Sequence, residues 1–123
     1  MALSEFFLNN FETSDNALDQ RLKPHYYNND YHTTQHLIIS SFNQVGFKML
    51  NVDNYYHEML FEYKRIRVVV ILNEMSLYEI RVDMKINTKY VLPFKRPIKI
   101  IEKLYEILDR KLTLKYLGGE MNE

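Results

Sequence analysis

Apolar side chains recur every three or four positions at both ends of the chain and every second position in its middle, so helical flanks enclose a sheet-forming centre. In residues 2–11, Leu3, Phe6, Phe7 and Phe11 fall on one side of a short amphipathic helix opened by Ser4 and Glu5. Its aromatic stripe needs a cover, either the protein's own sheet or a groove on a partner. Thr13, Ser14 and Asp15 offer caps for a second short helix with Leu18 and Leu22 inward, and Pro24 ends it by removing a backbone donor. His25, Tyr26, Tyr27, Asn28, Asn29 and Asp30 then read as a connection. From a cap at Asp30 or Thr33, Leu37, Ile38, Phe42 and Val45 make one stripe of a third helix, which Gly46 stops in the left-handed region.

From residue 47 to residue 92 the period shortens towards two, and β-branched and aromatic residues become dense. Strands are predicted at 47–52, 56–63, 66–72, 77–86 and 90–92. The turns between them fall at Asp53-Asn54, Lys64-Arg65, residues 73–76 and Asn87-Thr88. Residues 68–72 are apolar on both faces and mark a central strand. In 77–86, Tyr78, Ile80, Val82, Met84 and Ile86 alternate with Leu77, Glu79, Arg81, Asp83 and Lys85, which gives one core face and one wet face. Pro97 suits the first turn of a last helix reaching Leu114, with Ile98, Ile101, Tyr105, Leu108 and Leu112 in its apolar band beside Ile100, Leu104 and Ile107. This band packs on the meander or, alternatively, forms a dimer seam. The expected architecture is one α+β domain over residues 1–117, followed by a frayed tail at 118–123. It comprises N-terminal helices, a four- to five-stranded mainly antiparallel β-meander and a C-terminal helix packed on the sheet.

Composition narrows the functional classes. With 46% hydrophobic and 26% charged residues in 123, the chain has material for a core and too little polarity for wholesale disorder. Zero Cys removes disulfides, thiolate metal sites and cysteine nucleophiles. No apolar run reaches the roughly 18–20 residues of a membrane span, and the N-terminus lacks a signal-peptide pattern, so a cytoplasmic location without membrane contact is expected. The net charge of zero conceals a split. Residues 1–62 carry Arg21, Lys23 and Lys48 against Glu5, Glu12, Asp15, Asp19, Asp30, Asp53, Glu58 and Glu62, a net of about −5, and the remainder carries about +5. Such polarity orients a partner or lets two copies meet head to tail, unless folding mixes the two halves.

Candidate chemistry is sparse. His32 and His36 are four apart on one helix side, and His25, Asp30 and His57 complete the one metal-like constellation, but the intervening residues lack the glutamate of a metalloprotease helix. The favoured reading is a polar helix start with ordinary histidines and no metal. His32, His36 and His57 are also the only plausible centre for an enzyme. No nucleophile elbow, phosphate-binding glycine loop or dinucleotide fingerprint is present, so neither catalysis nor a cofactor is expected.

Nucleic acid is the alternative partner, through Arg81, Lys85, Lys89, Lys95, Arg96 and Lys99 with interleaved Tyr63, Tyr78, Tyr90 and Phe94, although Glu79 and Asp83 blunt that track. Ten Tyr and seven Phe suit a surface apolar in body and polar at the tip. The leading expectation is a small non-enzymatic protein-binding factor of inhibitor, adaptor or immunity type, working alone or as a homodimer. Its contacts are assigned to Tyr26, Tyr27, Tyr55 and Tyr56 and to the basic Lys64, Arg65 and Arg67. Abundant Asn, Ile, Lys and Tyr with scarce Gly and Ala is similar to the composition of many small phage and mobile-element proteins, a likeness of composition that involves no motif.

Overall fold

The alternation in the middle of the chain becomes an antiparallel seven-stranded sheet in the computed structural model, which describes residues 11–88 and 96–119. The strands are β1 (Phe11–Glu12), β2 (His25–Tyr27), β3 (Lys48–Asp53), β4 (Glu58–Tyr63), β5 (Ile66–Ser76), β6 (Glu79–Thr88) and β7 (Leu114–Leu117). The helices are α1 (Tyr31–Gln44) and α2 (Arg96–Lys111). The order across the sheet is β3-β4-β5-β6-β2-β7, with β1 also paired to β6. The class is α+β. Of the helix predicted over residues 2–11 only Phe11 is described, and it stands in strand β1 opposite Ile86; residues 2–10, the predicted strand at 90–92, Lys89 and Lys95 lie outside the described residues.

Period-two patterning puts Phe61, Val68 and Ile86 in one cross-strand row, Met59, Val70 and Met84 in the next, and Leu72 beside Val82 in a third. All are buried on the face that receives both helices. Ile38 and Phe42 of α1 and Ile101, Leu104 and Leu108 of α2 join the same core, each such side chain contributing about 1.5–3 kcal/mol by leaving water. The local signals at α1 act as the sequence implies. Asp30 caps the first turn by accepting from Thr33 N, and Gly46, at φ 98°, lets the chain turn back so that Phe47 N donates to Phe42 O at 2.9 Å. A Cβ at Gly46 would also meet the Tyr63 ring at 3.0 Å.

Several expectations are corrected. The second helix shrinks to a 3-10 turn, Gln20–Leu22, capped by Asp19, and Leu18 is fully exposed rather than inward. His25, Tyr26 and Tyr27 do not form a connection but the short buried strand β2, between β6 and β7. Seven strands replace four or five. β5 runs on through 73–76, so the hairpin turns at Leu77-Tyr78. The last helix ends at Lys111, and Leu114 opens strand β7 instead. Gly118 is buried and donates from N to Pro24 O at 2.6 Å, so order continues into the expected tail. Among the described residues no helix is long and apolar enough to cross a membrane.

The predicted wet face of β6 is also partly roofed. Thr13 N donates to Met84 O, and His25 pairs with Val82, so residues 14–24 take the room of a single strand position, that opposite Asp83. This detour folds over the face carrying Arg81 and Asp83. Asp83 is buried, accepting from Thr13 Oγ1 at 2.6 Å and from Arg81 Nε at 2.6 Å, while Arg81 also pairs with Asp15 at 3.0 Å.

Candidate functional site

Strand directions sort the turns into two ends. The β3–β4 turn (residues 54–57), the β5–β6 turn and the start of α1 share one end, while the Lys64-Arg65 turn and the start of α2 share the other. At the first end, Asp53 Oδ1 accepts from Tyr55 N at 3.0 Å and Tyr56 N at 3.1 Å, which fixes a tight turn with His57 in the left-handed region at φ 58°. His57 Nδ1 is hydrogen-bonded to Tyr31 Oη at 3.0 Å, tying that turn to α1.

Large side chains left in water gather here: Tyr55 is 81% exposed, Tyr56 65%, Met75 53%, Leu77 70% and Tyr78 66%. β5 outruns β4, whose last partner is Ile71, and β2 follows β6 only as far as Ile80, so residues 75–79 form a two-stranded tip beyond both neighbours. Glu58 and Glu74 are exposed at the same end, and Glu79 is bound by Lys115 at 3.1 Å and Tyr116 Oη at 3.0 Å. The end is therefore apolar at its tips and acidic around them.

The seven residues assigned to protein binding do not form one patch. Tyr26 and Tyr27 are buried in β2, Tyr55 and Tyr56 stand at the acidic end, and Lys64, Arg65 and Arg67 lie at or near the opposite end. Arg67 is paired there with Glu62 at 3.2 Å. Met75 and Leu77 were not foreseen as contact residues, because 73–76 reads as a polar turn. The missed signal is the sequence Met75-Ser76-Leu77-Tyr78, which puts three large apolar residues where a hairpin must reverse.

The nucleic-acid candidates are similarly divided. Arg81 is committed to Asp83 and Asp15, while Lys85 is exposed on the open sheet face beside half-buried Val69. Arg96 and Lys99 are exposed at the start of α2. Together with Lys48, Lys64, Arg65 and Lys103 they make the second end basic. That end also holds an apolar groove of about 280 Å³ lined by Val45, Phe47, Tyr63, Ile66, Ile100, Leu104 and Ile107, with Arg96 and Lys103 as its charged lining. Lys64 Nζ stands 5.3 Å from the centre of the Tyr63 ring.

The histidines do not converge. His32 and His36 are exposed on α1, and His57 serves the tyrosine turn. Among the described residues no three His, Cys, Asp or Glu side chains are placed to share a metal ion. His25, 8% exposed, stacks on Tyr105 with ring centres 3.7 Å apart and donates from Nδ1 to Asp109 Oδ1 at 2.8 Å. Tyr27 Oη donates to the same oxygen at 2.8 Å, and Tyr105 Oη donates to Val82 O at 2.6 Å. Burial, and for Tyr27 the Asp109 carboxylate, push both phenols well above their usual range. This cluster borders a shallow cleft of about 240 Å³ with Arg21, Glu102 and Glu106. It clamps α2 to β2, and the one hydroxyl-bearing side chain among the described residues lining the cleft, Tyr105, has its Oη committed to Val82 O. No known protein-family model matches the chain, and no curated protein matches it by sequence.

Proposed function

We propose that the chain is a small non-enzymatic protein-binding factor of inhibitor, adaptor or immunity type, and that its partner docks on the acidic end through Tyr55, Tyr56, Met75, Leu77 and Tyr78. The observation that carries this reading is the exposure of these five side chains at one end of the sheet, two on the β3–β4 turn and three on the β5–β6 hairpin. Contiguous exposed apolar surface is costly unless something covers it, and Tyr and Met are enriched where proteins meet. The sheet supports the turns from behind, so little ordering cost falls on association. The turn at Lys64 and Arg65 is not part of this contact. Absence of cysteine fits the reducing cytoplasm, and the composition fits a phage or mobile-element source.

The test is capture of partners from the native cell by the tagged chain, by a Tyr56→Ala, Leu77→Asp, Tyr78→Ala variant, and with nuclease added. These positions are exposed, so the variant is expected to melt like the parent while losing the captured protein by tenfold or more. Retention of every partner by the folded variant refutes the site. Capture that vanishes with nuclease favours the alternative, nucleic acid bound at the basic end.

A further inference from the structure

Folding mixes the two halves of the chain, since Glu74 of the basic half lies at the acidic end and Lys48 of the acidic half at the basic end, but among the described residues the two ends still differ in charge, and each carries an apolar feature of opposite shape. One is the β5–β6 tip, bearing Leu77 and Tyr78, with Glu74 at its base and Glu58 further back at the same end, opposite Ile71. The other is a concave groove between α2 and the β4–β5 turn, floored by Phe47, Ile66 and Leu104 and rimmed by Arg96 and Lys103. We propose that these surfaces fit each other, so that the Leu77-Tyr78 tip of one copy seats in the basic-rimmed groove of the next. The proposal uses the tip named above as part of the protein-binding end and rests on that reading.

Three features support a second copy as the occupant. At about 280 Å³ the open groove has room for one or two large side chains delivered by a protein. Among the described residues its charged lining is cationic only, and the end that bears the tip offers Glu74 and Glu58, so approach tip to groove is attractive while tip to tip and groove to groove are repulsive. Lys64, over the Tyr63 ring at the groove mouth, adds to the same sign. Because tip and groove lie on opposite ends, the contact is heterologous: copies add head to tail in an open chain or close into a ring, rather than pairing as a symmetric dimer.

The test is the molar mass of the full chain by sedimentation velocity across a concentration series at low and at high salt, with two surface variants. Tyr78→Lys spoils the tip, and Arg96→Glu with Lys103→Glu spoils the groove; all three positions are exposed, and thermal melts verify folding. The parent is expected to grow in mass with concentration at low salt and to shrink towards monomer at high salt. Each variant alone is expected to stay monomeric. Mixed one to one, they are expected to give heterodimers and nothing larger, since each retains one intact surface. A parent chain that is monomeric at both salts overturns the proposal, as happens if residues 1–10 or a foreign protein fill the groove. Variants that still dimerise alone, or folded variants that fail to complement, overturn it as well. If the parent is monomeric but Tyr78→Lys still loses a cellular partner, self-docking fails while the protein-binding reading stands. Self-assembly with every cellular partner retained has the converse meaning.

Discussion

Asp109 shows how one carboxylate can serve two distant parts of the chain. Its Oδ1 accepts from His25 Nδ1 and from Tyr27 Oη, both on β2, although Asp109 itself sits near the end of α2. Asp109→Ala removes the acceptor from two buried donors. Tyr27 Oη lies 3.4 Å from His25 Nδ1 and can turn to it, so the expected loss is that of about one unsatisfied group, about 1–3 kcal/mol, read from urea unfolding. Asp109→Asn keeps a carbonyl oxygen and is expected to lose less. The same contact explains why Tyr27 reads as a surface residue in the sequence, and Asp15 and Arg81 do so for Tyr26 on the other sheet face. A tyrosine next to a histidine in a polar stretch looks solvated until a partner more than eighty positions away supplies the missing hydrogen bond, and no local pattern announces Asp109.

At the scale of elements, the clearest dependence is that of the 14–24 detour on Arg81. The guanidinium bridges Asp15 in the detour and Asp83 beneath it. Arg81→Ala takes the guanidinium from Asp83, a buried carboxylate, and leaves it the hydrogen bond from Thr13 Oγ1. Hydrogen exchange is expected to show protection falling first in residues 14–24 while β4 and β5 stay protected. Uniform loss across the sheet would contradict a locally held detour. Elements with local instructions were legible in the sequence: α1 between Asp30 and Gly46, the alternation of β6, and the reversal at Lys64-Arg65. β2 and β7 were not, because each is short and gains its backbone partners from strands far away in the chain. Leu114, which opens β7, reads in the sequence as the end of the preceding helix because it follows the apolar Leu108 and Leu112. The candidate site was half legible: Tyr55 and Tyr56 stand out in any reading, but their alignment with Leu77 and Tyr78 depends on β5 outrunning β4.

For the whole molecule, the buried phenols set an upper pH bound. Tyr27 and Tyr105 are held above their ordinary value, chiefly by burial, whereas in the unfolded chain they ionise near pH ~10. Above that pH the folded state retains protons that the unfolded state has released. Stability is therefore full below about pH 10 and falls as the pH rises towards the folded values, by up to about 1.4 kcal/mol per pH unit for each phenol. Urea midpoints taken from neutral pH to about pH 11 check this, and Tyr27→Phe is expected to shallow the decline. An unchanged slope in that variant would remove Tyr27 from the account.

The strand interrupted at residues 14–24 has a further consequence. Thr13 and His25 already follow one another along β6, so the detour is an excursion that leaves and rejoins the sheet at almost the same point. A change in the length of that excursion leaves the strand on either side in frame, so long as Asp15 still reaches Arg81 and Pro24 still accepts from Gly118.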